Sequence, residues 1–466
     1  MNRSGRTPFA PAPALIPAVA IFLVLFAGCG LLRDGKKAPN VIVVVVDALR
    51  ADHVGCYGYD RDTTPFIDTL AAEGLRCADC TAQAPWTAAS VAGVFTSRYP
   101  SQTGVGAYED STGRRDVMKL SAGALPQDET TLAELMAGGG YSTFAVITNP
   151  FLTDEFGMTQ GFATVLEDDL DAAEIVDAAI AYVDSLGETG ASPNREGGHP
   201  FFAYLHFMDV HSPNRPPEPY YRMYPTLDSA PHRPGHGRGG GVSAADMTEG
   251  EFAVFKSHKL ALYDGSLKYV DAQVERLVGY LRDTGLASNT VIVFASDHGE
   301  GLWDHGLRMG HGFSMYGEQL EVPLIIHGPG VPPGEERVLA RNLDIAPTLL
   351  ALAGIGIPES MEGVDLLEAP EAAISYSEDM AYGFEQKSLR DNRFKYVMSV
   401  AADVEPMLFD KSDDPAELED LSNRMPEVVA FYAAEIDSLR AGIQSRNRSR
   451  VMVDDATRRK LRALGY

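Results

Sequence analysis

The sequence has little cysteine, with four residues in a chain of 466. Cys77 and Cys80 have the spacing of half a zinc knuckle, but no second pair completes four ligands, which argues against a structural zinc of that type. A disulfide among Cys56, Cys77 and Cys80 is the favoured interpretation in an oxidising compartment, and it leaves one thiol over.

Positive charge is also scarce, since 39 Lys and Arg stand against 65 Asp and Glu and give a formal net charge of −26. This balance argues against nonspecific attraction to nucleic acid or to anionic lipid, so we expect no nucleic-acid partner. Internal repeats are absent from the sequence. With 45% hydrophobic residues, the chain is typical of one large domain with a smaller appendage.

The N-terminus contains an apolar run, at residues 18–27, that is short for a membrane span and is limited upstream by Pro17. Two arginines precede the run and small residues follow it, immediately before Cys29. This is the pattern of a bacterial lipoprotein signal. It predicts a signal peptide over 1–28, lipidation of Cys29, a linker over 29–39, and an exported protein that a lipid anchor holds on a membrane of the cell envelope.

Strands buried on both faces are predicted by a series of apolar runs, beginning with VIVVVV at 41–46 and continuing with STFAVI, PFFAYLHF, TVIVFA and VPLIIH. Helical stretches separate these runs. The alternation predicts an α/β fold with a large, mainly parallel sheet sandwiched by helices over 40–365. Shorter strand-like pieces and an amphipathic helix then predict a small antiparallel α+β subdomain with a tail over 366–466.

Polar side chains stand where the predicted strands end. They are Asp47, Asn149, Asp209, His211, Asp297 and His298. In open α/β sheets ligands bind beyond the carboxyl ends of the strands, although Asp is also a common turn residue at such places.

A metal site is predicted from Asp47, Asp297 and His298, together with the hydroxyl of Thr87. Two carboxylates and an imidazole favour Zn²⁺ or Mn²⁺ over Ca²⁺ or Mg²⁺. We expect one ion, with a second as the alternative. Asp209 and Asn149 are candidates for that second ion or for contact with the substrate.

Thr87 opens a helix-like stretch of small residues, APWTAASVAGVF. One interpretation is an N-cap, in which the Thr87 hydroxyl accepts from the backbone N–H of Ser90. The other is a nucleophile at a helix N-terminus, where free N–H groups attract an anionic substrate. His211 and His311 are candidates for binding the substrate oxygens or protonating the leaving group, although a histidine near a strand end often only bonds the backbone.

Several ordered segments resemble the sulfatase family of the alkaline phosphatase superfamily: NVIVVVVDALRADHVGCYGYDRDTTPFIDTLAAEGLRC, APWTAASVAGVFTSRYPSQTGV, SDHGEGLWDHG, VPLIIHGPG and DIAPTLLALAGI. The resemblance covers nearly everything after residue 39. It implies an alkaline-phosphatase-like fold and a metal-dependent hydrolase of ester bonds, acting on a small-molecule, glycan or lipid-headgroup ester.

The departures from the family pattern concern the nucleophile and the metal ligands. Thr87 stands where family members have a Cys or Ser that is oxidised to formylglycine, and threonine cannot undergo that conversion. Asp47-Ala48 replaces an Asp-Asp pair, and Asp297-His298 replaces Asp-Asn. These differences resemble members that transfer phosphoryl groups through a phospho-threonine, so cleavage of phosphate monoesters or diesters is the favoured prediction.

Three alternatives stay open. The first is a sulfuric ester hydrolase of arylsulfatase type that uses Thr87 directly. The second is a transferase of phosphoethanolamine or phosphoglycerol, whose usual multi-span membrane domain is missing here. The third is a non-catalytic lipoprotein that binds an anionic glycan, which the presence of Asp47, Thr87, Asp297 and His298 argues against.

Overall fold

The computed structural model describes residues 37–188, 198–227, 247–306, 308–368, 374–401, 404–451 and 454–463. The predicted signal peptide and Cys29 lie outside these residues, so both stay predictions. Among the described helices, none combines the length and the apolar character that a membrane span requires.

Eighteen strands and eleven α-helices make up the described part of the chain. The strands before residue 365 are β1 Asn40–Val46, β2 Leu75–Cys77, β3 Cys80–Thr81, β4 Arg114–Asp116, β5 Gly123–Ala124, β6 Ser142–Ile147, β7 Thr164–Glu167, β8 Phe201–Phe207, β9 Thr290–Ala295, β10 Leu324–His327, β11 Gly334–Glu336 and β12 Ala340–Arg341. The later strands are β13 Ser375–Ser377, β14 Tyr382–Phe384, β15 Gln386–Arg390, β16 Phe394–Ser399, β17 Met407–Asp410 and β18 Ser449–Arg450.

The helices are α1 Pro65–Glu73, α2 Thr87–Thr96, α3 Pro100–Thr103, α4 Val117–Leu120, α5 Leu132–Gly138, α6 Ala172–Glu188, α7 Glu249–Asp283, α8 Gly317–Leu320, α9 Ile345–Ala353, α10 Pro426–Gly442 and α11 Asp455–Ala463. Several begin as their sequences predict. Thr248 caps α7 and Thr131 caps α5, each through a reciprocal bond with a glutamate three residues later.

The central sheet has eight strands in the order β11-β2-β10-β9-β1-β8-β6-β7. Strand β1 pairs in parallel with β8 on one side and β9 on the other, and β6 continues the parallel part. The predicted α/β fold with a mainly parallel sheet is therefore confirmed. Strand β10 departs from that pattern because it runs antiparallel to both β9 and β2.

The side chains of β1 alternate between two apolar cores, one on each face of the sheet. Val41, Val43 and Val45 face a core with α2, α5 and α9, whereas Ile42 and Val44 face a core with α1, α6 and α7. Both faces are covered by helices, which explains the uninterrupted β-branched run of this strand.

The C-terminal part contains an antiparallel sheet in the order β13-β15-β16-β17, against which α10 packs through Tyr432 and Ile436. This sheet agrees with the predicted subdomain, although β15 was not anticipated. Two later strands return to the first part of the chain: β14 pairs with β4, and β18 pairs with β5. The boundary at residue 365 stays a prediction.

The predicted disulfide is wrong for the described residues, because Cys56, Cys77 and Cys80 are all free thiols. Cys77 ends β2, where it pairs with β11, and Cys80 begins β3, where it pairs with β12. The Cys80 sulfur instead lies 3.7 Å from Asn342 Oδ1. Burial raises the pKa of both thiols, so they behave as small apolar core residues.

Candidate active site

Asp47, Asp297 and His298 meet at the carboxyl edge of the central sheet. Asp47 directly follows β1, and Asp297 and His298 follow the adjacent parallel strand β9, so the strand pairing places the three side chains together. One ligand atom from each lies within 4.8 Å of the others, and all three residues are buried.

The three facing atoms are all acceptors. His298 Nδ1 lies 2.9 Å from the carbonyl oxygen of Gly299, to which it donates, so Nε2 carries the lone pair. Nε2 is 3.4 Å from Asp47 Oδ1 and 3.5 Å from Asp297 Oδ2. Neither of these buried carboxylate oxygens has a hydrogen-bond partner. Because unpaired buried acceptors are costly, this arrangement fits a cation at their centre.

Thr87 is the first residue of α2 and is fully buried. Its hydroxyl oxygen lies 3.3 Å from Asp47 Oδ2 and 3.2 Å from both His298 Nε2 and Asn149 Nδ2. The N-cap interpretation is wrong, because the cap position belongs to Trp86. The Ser90 N–H donates to the backbone carbonyl of Trp86, so the Thr87 hydroxyl instead contacts the carboxyl edge of the sheet.

The second oxygen of Asp47 is held by donors. Asn149 Nδ2 lies 2.9 Å from Asp47 Oδ2, and His206 Nε2 lies 3.1 Å from it. The other His206 nitrogen contacts the Tyr204 hydroxyl at 3.1 Å. Sequence reasoning missed His206 because it searched the ends of strands, whereas His206 is inside β8. Its signal was being the one histidine in the apolar run FFAYLHF.

Asp209 makes its hydrogen bond elsewhere. Its Oδ1 accepts from the backbone N–H of Ala172, at the start of α6, at 3.2 Å. The metal-ligand cluster contains Asp47, Asp297 and His298 without it. The structure therefore brings Asn149 to the Thr87 hydroxyl and leaves Asp209 as a contact to a neighbouring helix.

His211 and His311 border the cluster. The ring centroids of His298 and His311 are 4.3 Å apart, and those of His211 and His311 are 5.0 Å apart. His311 Nδ1 lies 3.3 Å from Glu300 Oε1, and His211 Nδ1 lies 2.6 Å from the carbonyl oxygen of Ser212. Both imidazoles are thus oriented by their own contacts beside the hydroxyl and the carboxylates.

A model of the sulfatase family matches residues 39–355, which is more than half of the chain. The chain belongs to the sulfatase family. A second model, of the C-terminal region of N-sulphoglucosamine sulphohydrolase, matches residues 308–441. Sulfatase-family relatives are ester hydrolases, so the predictions of the family and of an enzyme acting on ester bonds are confirmed.

The relatives of this sulfatase-family chain include an arylsulfatase of Clostridium perfringens, which is 28% identical over 458 residues, or 86% of this chain and 93% of the relative. A solved 2-O GAG sulfatase shares the fold at a TM-score of 0.69 and 22% identity, covering 91% of this chain and 96% of that one. A solved phosphonate monoester hydrolase of Agrobacterium radiobacter also shares the fold, at a TM-score of 0.68 and 22% identity. The match covers 88% of this chain and 97% of that one.

Electrostatic interactions in the site of this sulfatase-family chain shift the pKa values of the two carboxyls of the cluster in opposite directions. Burial alone would raise the pKa of Asp47, but the imidazoles of His211, His206 and His298 outweigh it and hold that pKa below its ordinary value. Burial and the neighbouring charge of Asp47 raise the pKa of Asp297 well above its ordinary value. The pair thus avoids two uncompensated negative charges at close range until a cation is bound.

His298 and His311 are neutral at physiological pH because burial disfavours their charged forms. Burial, with a smaller contribution from His311, lowers the pKa of His298 to about 3. Burial likewise lowers the pKa of His311 to about 4 and raises that of the Glu300 carboxyl to about 7. A neutral His298 is the form that can act as a metal ligand.

Members of the sulfatase family generally bind a divalent metal ion, and the residues present here fit one. Asp47 and Asp297 each offer an unpaired carboxylate oxygen, and His298 offers a lone pair.

Proposed function

We propose that this chain is a metal-dependent hydrolase of phosphate monoesters or diesters in which Thr87 is the nucleophile. The observation that supports this most directly is the position of the Thr87 hydroxyl. It is buried at a helix N-terminus, within 3.3 Å of Asp47 and 3.2 Å of His298.

Asp47, Asp297 and His298 would hold the ion, which when bound would make the Thr87 hydroxyl more acidic and neutralise charge on the ester. The Thr87 hydroxyl loses its proton to water and its Oγ attacks phosphorus, so that an Oγ–P bond forms while the bond to the leaving oxygen breaks and that oxygen takes up a proton. The first N–H groups of α2 have no acceptors within the helix, and they stabilise the negative charge that develops. Water then cleaves the phospho-threonine and regenerates Thr87.

Asn149 and the two bordering histidines would position the ester. Asn149 Nδ2 is 3.2 Å from the nucleophile and fixes its orientation. His211 and His311 border the space next to His298, where a bound anionic ester would favour their protonated forms, which would donate to the free ester oxygens or to the leaving oxygen. Esters that differ in their leaving group distinguish these two roles, because only protonation of the leaving oxygen depends on its basicity.

The donor set supports Zn²⁺ or Mn²⁺ in preference to Ca²⁺ or Mg²⁺. His298 supplies a nitrogen ligand, and Ala48 follows Asp47 where family members carry a second carboxylate, so the site has fewer oxygen ligands. We propose one ion. A second ion has less support, because Asp209 bonds to α6.

The alternative is cleavage of sulfuric esters, and the names of the relatives favour it. They include arylsulfatases and a 2-O GAG sulfatase, so a small-molecule or glycan sulfate ester is the competing substrate class. A solved phosphonate monoester hydrolase with the same fold supports the phosphorus-directed function. The formylglycine that the family resemblance implies for sulfatases cannot form from Thr87.

The deciding experiment compares three aryl esters with one leaving group, a sulfate, a phosphate monoester and a phosphate diester. The purified full chain is stripped of metal and supplied with zinc, manganese or calcium. Zinc- or manganese-restored cleavage of a phosphate ester is the expected result. Calcium-restored cleavage of the sulfate alone would show that the sulfuric ester alternative is correct.

We also propose that the chain is an exported lipoprotein of the bacterial cell envelope, lipidated at Cys29. The support is the pattern of residues 1–29 in the sequence. Fractionation of cells that produce the wild type or Cys29→Ser tests this. The wild type should sediment with membranes and carry an acylated N-terminal peptide, whereas equal release of both proteins would contradict lipidation.

A further inference from the structure

Arg308 lies on the loop that follows the metal-ligand segment, three residues before His311. Its guanidinium carbon is 4.9 Å from the centroid of the Phe313 ring and 5.6 Å from that of the Tyr382 ring. These rings come from two different parts of the chain, and Tyr382 belongs to the C-terminal strand β14. The planar guanidinium of Arg308 therefore makes cation–π contacts with two aromatic side chains.

A backbone hydrogen bond joins one of these two aromatic residues to the active-site loop. The Tyr382 N–H donates to the Gly312 carbonyl oxygen at 2.9 Å, directly after His311. On the other side of the loop, Gly301 and Gly310 exchange backbone hydrogen bonds of 2.8 and 3.1 Å. Arg308 is thus presented from a loop whose flanking backbone is hydrogen-bonded on both sides.

Arg308 is exposed, and its surroundings differ from those of the buried arginines among the described residues, which have counter-ions. Arg50, Arg115, Arg341 and Arg390 each pair with carboxylates within 3.3 Å. Within the ranges that the structure describes, no carboxylate lies in ion-pairing distance of Arg308. The chain has a net charge of −26, so carboxylates are abundant, yet none pairs with this guanidinium among the described residues. Its N–H donors are therefore available for an anionic ligand at a site that itself binds an anionic ester.

We propose that Arg308 binds a second anionic group of the substrate, a carboxylate, sulfate or phosphate that lies beside the ester to be cleaved. The inference rests on the proposed ester-hydrolase function. It assigns the substrate class as esters with more than one negative charge, for which a planar guanidinium offers two parallel hydrogen bonds. The two rings restrict the guanidinium in advance, so that less freedom is lost on binding.

The test measures binding by calorimetry in the Thr87→Ala background, so that the result does not depend on turnover. The probes are phenyl phosphate and 4-carboxyphenyl phosphate, and the same pair as sulfates. With Arg308 present, we expect the carboxylated probe to bind on the order of tenfold more tightly than the plain one. Arg308→Met should remove this preference and leave the plain ester unchanged, and Arg308→Lys should keep part of it.

The matched control is Arg337→Met, which removes an exposed arginine from the strand region of β11, away from this loop. It should leave the preference intact and thereby exclude a general effect of net charge. Equal binding of both probes with Arg308 present, or a preference that survives in Arg308→Met, would overturn the inference alone. If neither plain nor carboxylated esters bind, the proposed function fails and the inference fails with it.

Discussion

Replacing Thr87 by alanine distinguishes a catalytic role of this residue from a purely structural one. Trp86 occupies the cap position of α2, so the substitution removes no helix cap. It removes one buried methyl group, worth about 1 kcal/mol, and hydroxyl contacts of 3.2 to 3.3 Å. Asn149 Nδ2 keeps its 2.9 Å contact with Asp47. We therefore expect the free energy of unfolding to fall by about 1 to 2 kcal/mol, leaving the protein folded.

The loss of rate should be far larger than this loss of stability. Removing a nucleophile from an enzyme of this kind lowers kcat by on the order of 10⁴-fold or more. Thr87→Ser keeps the hydroxyl and loses only the methyl group, so it should retain activity within about tenfold. The two variants differ by one oxygen atom, and that atom is the one assigned to the chemistry.

The assay combines steady-state rates on a phosphate ester with an acid quench during turnover. Mass spectrometry of the quenched wild type should find phosphate on the peptide that contains Thr87, and Thr87→Ala should lack it. Circular dichroism and denaturant unfolding establish that the variant is folded. Wild-type rates in Thr87→Ala, or phosphate on a different residue of the wild type, would refute the assignment of the nucleophile.

Three further perturbations test the rest of the site. Asp297→Asn removes a ligand carboxylate and should lower zinc or manganese per chain by elemental analysis, with Asp209→Asn as the control; unchanged stoichiometry would place the ion elsewhere. If His311 protonates the leaving oxygen, His311→Ala should slow a phenyl ester about ten- to a hundredfold more than a 4-nitrophenyl ester, with His211→Ala for comparison; equal losses on both esters in both variants would exclude either histidine as the acid. Burial raises the pKa of Asp209 to about 7, so its protonated form stabilises the fold below about pH 4 and this stabilisation is lost as the pH rises through 7. Asp209→Asn should therefore raise the free energy of unfolding at pH 8 by roughly 4 kcal/mol and change it little at pH 4, unlike the exposed Asp169→Asn; the same small effect for both at pH 8 would contradict the raised pKa.

The three residues of the candidate metal cluster could be predicted to lie together because each of them follows a strand end. Asp47, Asp297 and His298 directly follow long apolar runs, and parallel strands bring such positions to one edge. The eight-stranded order and the antiparallel direction of β10 were out of reach, because the runs carry no information about which strands are neighbours.

The sequence-based predictions failed where the outcome depends on the residue at which a helix starts or on a contact between distant parts of the chain. Of the two interpretations of Thr87, the N-cap is wrong because the helix begins at this residue, which turns the hydroxyl towards Asp47 at the end of β1. His206 was missed because it lies inside β8 and not at a strand end, and only the pairing of β8 with β1 brings it to Asp47. Cys77 and Cys80 are three residues apart, but they belong to strands that pair with β11 and β12, and local spacing could not reveal that separation.

The strand order explains how one carboxylate can serve both the proposed ion and the nucleophile. On the β8 side of β1, His206 and Asn149 donate to Asp47 Oδ2, next to the Thr87 hydroxyl. On the β9 side, Asp297 and His298 face Asp47 Oδ1, which has no donor. Two donors on one oxygen fix the plane of the carboxylate, so the other oxygen stays directed at the ligand pair. Because β1 lies between β8 and β9, donors and ligands approach Asp47 from opposite sides, and the geometry follows from the order of the strands.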